Sequence, residues 1–439
     1  MKKRNRLHSE ANVLPVNLEL NDEFVGTFDL LERTNESVFI TGKAGTGKST
    51  LLKYFRKNTG KNVAVLAPTG VAAVNIGGQT IHSFFRFPPR LIQKENIRKK
   101  RNNSIIKKLD TVIVDEVSMV RADLMDGIDY ALRVNRGEMK LPFGGVQMVF
   151  FGDLFQLAPV VNEEERGVLE QRYGTPYFFS AKVFNKFKPR YVELEKNYRH
   201  SDPKFIDLLN KIRNKTQINA DLELLNERVR EITPGDSKRC VMLTTTNHRA
   251  NAVNEERLAG LPSKEYQYEA AISKEFNESA YPGECVLRLK KGAQIILIRN
   301  DPERRWVNGT LAQVVALSPD SIKVSIDGTV HEVERSSWDK IEYRYNSDED
   351  KIEEKTVGTF EQYPIKLAWA ITIHKSQGQT FDNIVIDLGA GAFTHGQVYV
   401  GLSRCTSLKG IILKRPVNAR DIIFDERVHE FRERFRDLI

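Results

Sequence analysis

The segment Gly42-Lys43-Ala44-Gly45-Thr46-Gly47-Lys48-Ser49 constrains this chain more than any other. It fits G-x-x-x-x-G-K-[ST], follows the apolar run 37–41 (SVFIT) and leads into a helix-like run, TLLKYFRK. A strand, a glycine-rich turn and a helix in that order make a phosphate-binding loop. The glycines let backbone N–H groups close on phosphate oxygens, and the helix N-terminus adds positive potential. Lys48 is placed to reach the β- and γ-phosphates, and the Ser49 hydroxyl to ligate Mg²⁺. Gly42, Gly45, Thr46, Gly47, Lys48, Ser49 and Thr50 are the candidate nucleotide contacts.

A loop of this kind needs an α/β sheet around it, and the first 180 or so residues supply the pattern. Short, continuous, β-branched or aromatic runs at 37–41, 63–66 (VAVL), 112–114 (VIV) and 146–151 (VQMVFF) read as strands buried on both faces, with helical stretches between. Asp115-Glu116 ends the third run. An acidic pair there fits a Walker-B site, with Asp115 holding Mg²⁺ through water and Glu116 orienting and deprotonating the attacking water.

A second α/β region comes in two pieces, one with 191–194 (YVEL) and 241–244 (VMLT), the other with 367–373 (LAWAITI), 384–387 (IVID) and 410–413 (GIIL). Between them, at about 286–345, short runs at 294–298, 310–315, 321–326 and 329–333 predict a small inserted β-barrel, and Asp327-Gly328 is a strong hairpin signal. The acidic stretch near 348–354 reads as the exit linker. The closing segment RVHEFRERFRDLI has apolar residues at helical spacing and reads as a docking helix.

Composition excludes several classes. No apolar run approaches the 18 or so residues of a membrane span, and the basic start MKKRNRLHSE is not followed by a signal-peptide core. Cys240, Cys285 and Cys405 form no metal-type pair, which fits a reducing compartment, cytoplasm or nucleoid if the source is bacterial. Lys plus Arg number 67 against 58 Asp plus Glu, a net +9 that favours a polyanionic partner. Nine Lys/Arg against one acid, Glu95, fall between Arg86 and Lys108. That run is a wedge and duplex anchor or a solvated loop; Phe85, Phe87 and Trp306 are base-stacking faces or core.

A phosphate loop alone does not name a function. Three further blocks narrow it. Gln156, in GDLFQLAPV, sits at a strand end where it could sense the γ-phosphate. Arg199, in LEKNYR, and Arg404, in VYVGLSR, open and close the second region. A charge-supplying arginine accelerates phosphoryl transfer by roughly 10³–10⁵. Arginines on a second domain make hydrolysis depend on domain closure, which turns chemistry into motion.

Together these blocks resemble a superfamily one helicase of subgroup B, and most closely the Pif (petite integration frequency) family, a relative of the RecD helicases. The matching motifs are I (GKAGTGKST), Ia (APTGVAAVNIGGQTIHSFF), II (VIVDEVSM), III (GDLFQLAPV), IV (LEKNYR), V (AITIHKSQGQTF) and VI (VYVGLSRCTS), and 116–145 resembles the Pif signature region. The likeness runs from about residue 20 to 425. It implies two RecA-like P-loop lobes, a small wedge element and an SH3-like barrel inserted in the second lobe. The corresponding divisions are 1–185 for lobe one with the wedge near 86–104, 186–260 and 346–439 for lobe two, and 261–345 for the insert.

The resemblance also implies an ATP- and Mg²⁺-dependent motor that moves 5′ to 3′ on single-stranded DNA. It opens tailed or forked duplexes, G-quadruplexes and RNA–DNA hybrids, in replication, repair or telomere-type genome maintenance, and is monomeric without DNA. Lys48, Glu116, Gln156, Arg199 and Arg404 take the catalytic roles, and Gly378 of motif V joins the nucleotide contacts. Pro68, Thr69, Gly70, Thr80 and His82 of lobe one face the strand, with Thr244, Thr246, Asn247, His374, Lys375 and Ser376 of lobe two. Short hydroxyls and backbone N–H groups suit a motor that must release at each step better than a row of lysines. One departure stands out: the family's adenine-reading glutamine upstream of motif I is missing around 20–24 (LNDEF). Two other readings stay open, an RNA-directed remodelling ATPase and an ATP-dependent DNA clamp without processive movement. A subunit of a nuclease complex is disfavoured, because no nuclease-like carboxylate cluster is evident.

Overall fold

The structure, a computed structural model, describes residues 21–436 apart from 89, 101–102, 201, 234–239, 274–275, 277, 279–280 and 347–350. The basic start of the chain lies outside the described residues.

Lobe one is a parallel sheet of β1 (Val38–Gly42), β2 (Val63–Ala67), β3 (Gln79–Thr80), β4 (Thr111–Val114), β5 (Gln147–Phe151) and β6 (Arg190–Leu194), in the order β3-β2-β4-β5-β1-β6. Its inner strands β1, β2, β4 and β5 are mostly apolar because both faces are covered, whereas the edge strands β3 (QT) and β6 (RYVEL) carry polar residues. Phe39, Val112 and Val114 enter one core, while Val38, Ile40 and Ile113 enter the other. The expected division at residue 186 is corrected here. β6 pairs with β1, Val38 opposite Arg190, so 191–194 closes lobe one's sheet instead of opening lobe two. A run of five residues carries no mark of which neighbour it will pair with.

Lobe two begins with the helix Pro203–Asn214 and β7 (Val241–Thr244). The chain then leaves for an insert of β8 (Glu265–Glu269), β9 (Ala271–Ile272), β10 (Val286–Lys290), β11 (Gln294–Leu297), β12 (Leu311–Ser318), β13 (Ser321–Ile326), β14 (Thr329–Val333), β15 (Ser336–Asn346), β16 (Lys351–Gln362) and β17 (Ile365–Leu367). It returns as β18 (Ala370–Thr372), β19 (Ile384–Asp387) and β20 (Ile411–Leu413), giving a parallel sheet β18-β7-β19-β20. The insert's main sheet is β14-β13-β12-β11-β17, built on antiparallel pairs. Asp327 (φ 49°) and Gly328 (φ 88°) make the expected two-residue turn between β13 and β14.

Two further expectations are corrected. The insert runs on to Leu367, since β17 pairs with β11, so 367–373 is split between two sheets. Residues 351–354 are no linker but the start of β16, which pairs with β15 over its whole length. Charges are tolerated in that ladder because its faces are largely open to water. The β15–β16 hairpin then reaches back to lobe one, where Ile341 and Tyr343 join the core of Phe84, Val112 and Val114. The closing helix Glu426–Arg436 does the same from the other end, and its Phe431 stacks on Phe179 at 4.4 Å. The bland reading of the aromatics holds: Phe85, Phe87 and Trp306 are 5%, 8% and 6% exposed. The described part of the 86–104 segment contains no strand; it packs on the helix Ala122–Arg136, with the Ile92 N–H donating to Asp123 Oδ2 at 2.7 Å.

Candidate functional site

The phosphate loop runs from β1 to the helix Lys48–Asn58, as its sequence requires. Gly45 has φ 88°, and a methyl group there would lie 2.5 Å from Arg199 Cβ. Only glycine suits both the left-handed backbone and that close approach. Lys48 Nζ is folded back onto the loop, donating to the Gly42 and Lys43 carbonyls at 2.6 and 3.0 Å. Burial lowers its pKa, while Asp153 and then Glu116 pull it up. Thr46 is buried and donates to the Lys43 carbonyl at 3.0 Å; Ser49 is exposed on the first helical turn, with Thr50 beside it.

Asp115 and Glu116 follow β4 directly. Glu116 takes φ 48°, a left-handed conformation rare for a residue with a side chain and a form of strain that gathers at functional sites. Burial, followed by the charge of Glu116, pushes the Asp115 carboxyl upward. A hard divalent cation suits this place: carboxylate and hydroxyl oxygens are the ligands it takes, and its charge would offset the crowding of Asp115 and Glu116.

The arginines come from chain that bridges the lobes. Residues 195–200 leave lobe one across the top of the loop: the Tyr198 N–H donates to the Gly45 carbonyl at 2.9 Å, and Asn197 Nδ2 to the Ala44 carbonyl at 3.0 Å. Arg199 Nη1 reaches the Ser403 carbonyl of lobe two at 3.2 Å. Arg404 is 2% exposed; its Nε donates to the Val400 carbonyl at 3.0 Å and its Nη2 to Ser403 Oγ at 2.9 Å. Burial, with the Arg199 charge next, lowers it to about 9. A buried guanidinium whose acceptors here are two carbonyls, Val400 and Gln379, and a hydroxyl is under-neutralised, and a phosphate oxygen is the ligand that would satisfy it. Gln156 is 7% exposed, its amide nitrogen 3.3 Å from Asp153 Oδ2 and its carbonyl 3.5 Å from Gln377 Nε2 of lobe two. Gly378 is exposed in the same loop as Gln377.

The predicted strand contacts sort into two groups. Thr69 and Thr80 cap the helices Gly70–Ile76 and Ile81–Phe85, and Thr246 caps Asn247–Ala259, so these hydroxyls fix loop ends beside exposed or half-buried backbone. Pro68, Gly70, His82 and His374 are half-buried, and Asn247 and Lys375 exposed. Burial lowers the pKa of both His82 and His374. Thr244 and Ser376 depart from expectation. Both are 0% exposed, and their hydroxyls donate to the Thr246 and Ile373 carbonyls, so here they shape loops instead of facing outward. Thr244 closes β7 and Ser376 lies in the turn after β18, and residue type alone does not mark either hydroxyl as inward.

Sequence reasoning missed several residues that the structure brings to the site. Tyr399 accepts from the Ala44 N–H at 3.2 Å, and Asn197 braces both the loop and Arg199. Both lay inside quoted motifs but were passed over as spacers. Phe393 is 61% exposed and its ring lies near-parallel to His374, 6.5 Å away. Its signal, a lone aromatic in a glycine-rich loop, is weak.

A family model for PIF1-like helicases matches residues 20–222, and one for the DNA helicase Pif1 2B domain matches 278–317. The chain is 36% identical over 441 residues to the ATP-dependent DNA helicase Pif1 of Bdellovibrio bacteriovorus, covering 98% of this chain and 95% of that protein. Among solved structures it superposes on unliganded Pif1 from Bacteroides sp with a TM-score of 0.88 at 37% identity, covering 96% of this chain and 98% of the other. The complex of that protein with ADP-AlF4 gives 0.88, and the one bound to single-stranded DNA 0.69, with the same coverage.

Proposed function

The chain belongs to the PIF1-like helicase family, and from that premise we propose the residue roles, polarity and substrates of its ATP-dependent DNA helicase activity. ATP enters the seam between the lobes. Lys48 exchanges the Gly42 and Lys43 carbonyls for the β- and γ-phosphates. Ser49 and Asp115 hold Mg²⁺, which would neutralise phosphate charge as transfer proceeds. Glu116 orients and deprotonates water. Gln156, Arg199 and Arg404 read the γ-phosphate and draw lobe two inward. The observation that carries this reading is the bridge at residues 197–199, whose side chains and backbone touch the phosphate loop on one side and Ser403, next to Arg404, on the other.

The strand crosses both lobes past Pro68, Thr69, Gly70, Thr80 and His82, then Thr246, Asn247, His374 and Lys375, with the Phe393 ring as a stacking face beside His374. Alternating grip moves the motor 5′ to 3′ and separates tailed and forked duplexes, G-quadruplexes and RNA–DNA hybrids during replication or repair, by a protein monomeric without DNA. No helix among the described residues is long and apolar enough to cross a membrane. The base of the nucleotide meets Tyr198, and the amide beside it is that of Asn21, already engaged by the Tyr198 hydroxyl at 3.2 Å and the Phe24 N–H at 2.9 Å. ATP and GTP are therefore expected to support turnover within about tenfold of each other, because a base edge that meets no free hydrogen-bonding side chain is weakly discriminated.

The test is ATP-dependent separation of one duplex carrying a 5′ or a 3′ single-stranded tail, with Lys48→Ala as the hydrolysis-dead, strand-binding control. Unwinding from the 5′ tail alone is expected. Unwinding from the 3′ tail alone would overturn the polarity and the strand contacts attached to it. Hydrolysis without unwinding from either tail would favour the clamp or the RNA remodeller.

A further inference from the structure

The loop that carries Gln156 is rooted in lobe one but held by lobe two. Asp153, at its start, is 1% exposed and accepts from Arg213 Nη2 at 2.9 Å; Arg213, on the lobe-two helix Pro203–Asn214, is 3% exposed. The Arg213 guanidinium also lies 3.9 Å over the Phe155 ring. Asp153 passes the contact on: its Oδ1 accepts from the Phe155 N–H at 3.1 Å, and its Oδ2 is 3.3 Å from Gln156 Nε2. The next residues are gripped as well. His395 Nε2 is 3.1 Å from the Leu154 carbonyl, Leu157 lies in lobe two's core, and a methyl group on Gly396 (φ 71°) would overlap the carbonyls of Phe155 and Gln156.

Among these grips the ion pair is unlike the rest. It joins two charged groups taken fully from water, an arrangement that hydrophobic replacements commonly match or better for stability alone. Its presence therefore calls for another reason, and its place beside the γ-phosphate sensor supplies one. Burial opposes ionisation of Asp153, but Arg213 and then Lys48 outweigh it and hold the carboxyl below its usual range. Arg213 binds this carboxylate directly, while the Lys48 charge, itself bonded to the Gly42 and Lys43 carbonyls, acts on it from lobe one. Arg213 Nε is buried without a hydrogen-bond partner, and a cavity of about 10 Å³ bordered by Arg213, His395, Gly396 and Tyr399 adjoins it. The pair is thereby satisfied on one side and left slack on the other.

We propose that Arg213 is a positioning residue of the ATPase cycle: acting through Asp153, it sets the loop of Gln156, so that the response to the γ-phosphate depends on where lobe two stands. The inference rests on the reading of Gln156 as the γ-phosphate sensor. Because the carboxylate that Arg213 holds also fixes the Phe155 N–H and lies against Gln156, a γ-phosphate that draws Gln156 shifts the loop, and lobe two follows it. Asp153 and Gln156 belong to motif III, but Arg213 lies outside every motif that the sequence displays, in an ordinary amphipathic helix.

The test uses the full chain with Arg213→Gln, Arg213→Lys, Gln156→Ala and the neutral pair Asp153→Asn with Arg213→Gln. Steady-state hydrolysis is measured with and without a thymidine oligonucleotide, beside a thermal melt of each variant. Arg213→Gln is expected to lower DNA-stimulated kcat roughly tenfold or more, with KM for ATP changed less than about threefold, and Arg213→Lys to recover part of the loss. The neutral pair, which carries the test if the single variant does not fold, is expected to restore Tm but not stimulation. Wild-type stimulation in folded Arg213→Gln, or a neutral pair that restores stimulation as fully as Tm, would overturn the proposal. If Gln156→Ala leaves stimulated turnover unchanged, the sensor reading falls and this inference with it; if Gln156→Ala slows turnover and Arg213→Gln does not, only this inference falls.

Discussion

Lobe one is held at two seams, and they are built of different materials. At the nucleotide seam, lobe two meets it through charge: half-buried Arg199, buried Arg404, whose charge that of Arg199 opposes, and the buried Asp153–Arg213 pair. At the opposite seam, the β15–β16 hairpin of the insert meets it through an aromatic and through backbone. Tyr343 packs edge-on to Phe84 at 5.9 Å, Gln79 Nε2 donates to the Ile341 carbonyl at 2.6 Å, and Arg56 pairs with Glu354. A charged seam responds to an incoming polyphosphate. Apart from the Arg56–Glu354 ion pair, the hairpin seam is held by ring and backbone contacts, which a nucleotide's charge hardly alters. In the Bacteroides protein the form bound to single-stranded DNA is the one that departs from this arrangement, 0.69 against 0.88 without ligand and with ADP-AlF4. We expect nucleotide to work at the first seam and, of the two, the second to be the one that DNA opens.

The largest expected effect is at the first. Arg404→Ala should lower kcat roughly 10³-fold, the lower end of what a charge-supplying arginine contributes, with KM for ATP raised much less. Equal damage to both in a steady-state assay would mean that Arg404 holds ground-state ATP, and the seam would lose its claim to sense the transition state. The next effect tests whether the strand track is independent of that chemistry. His374→Ala removes a ring worth about 1–3 kcal/mol if a base stacks on it, so oligonucleotide affinity should fall roughly fivefold or more while ATP binding without DNA is unchanged. Unaltered DNA affinity by fluorescence anisotropy would remove His374 and its neighbour Phe393 from the track.

These tests bear most on residues that the sequence made legible, and the reason is chemical. The phosphate loop, Asp115-Glu116 and the arginine motifs are local: their function needs particular atoms at fixed spacing, so composition and order reveal them. The parallel strands of lobe one were legible because burial on both faces leaves continuous apolar runs. What stayed hidden was partnership between distant segments. Nothing in YVEL says that it pairs with β1, and nothing in the charged 351–354 says strand, because an exposed ladder tolerates charge. Arg213 reads as one more basic residue near a helix end, and only the fold places it against Asp153. Thr244 and Ser376 are hidden inward because a motif gives residue type but not which side of a strand end or turn it falls on.

The smallest expected effect is the one that most sharpens the contrast between the seams. β3 is only two residues long, pairing with Leu66 and Ala67, so it leaves Val65 of β2 without a strand neighbour on that side. The Tyr343 hydroxyl fills the gap, accepting from the Val65 N–H at 3.0 Å and lying 3.4 Å from the Val65 carbonyl. Tyr343→Phe keeps the ring against Phe84 but leaves the Val65 N–H unpaired in the closed arrangement, whereas water satisfies it once the hairpin lifts away. The closed form alone is therefore penalised, by about 1 kcal/mol or somewhat more. If DNA requires the hairpin to move, that penalty appears as oligonucleotide binding tightened by roughly fivefold, since a ligand's apparent affinity rises with the population of the form it selects. KM for ATP should not move, because no part of the charged seam has been touched. Tighter DNA binding with unchanged KM would establish that the two seams answer to different ligands. Weaker or unchanged DNA binding would show that the hairpin contact persists on DNA, and the division of labour between the seams would fail.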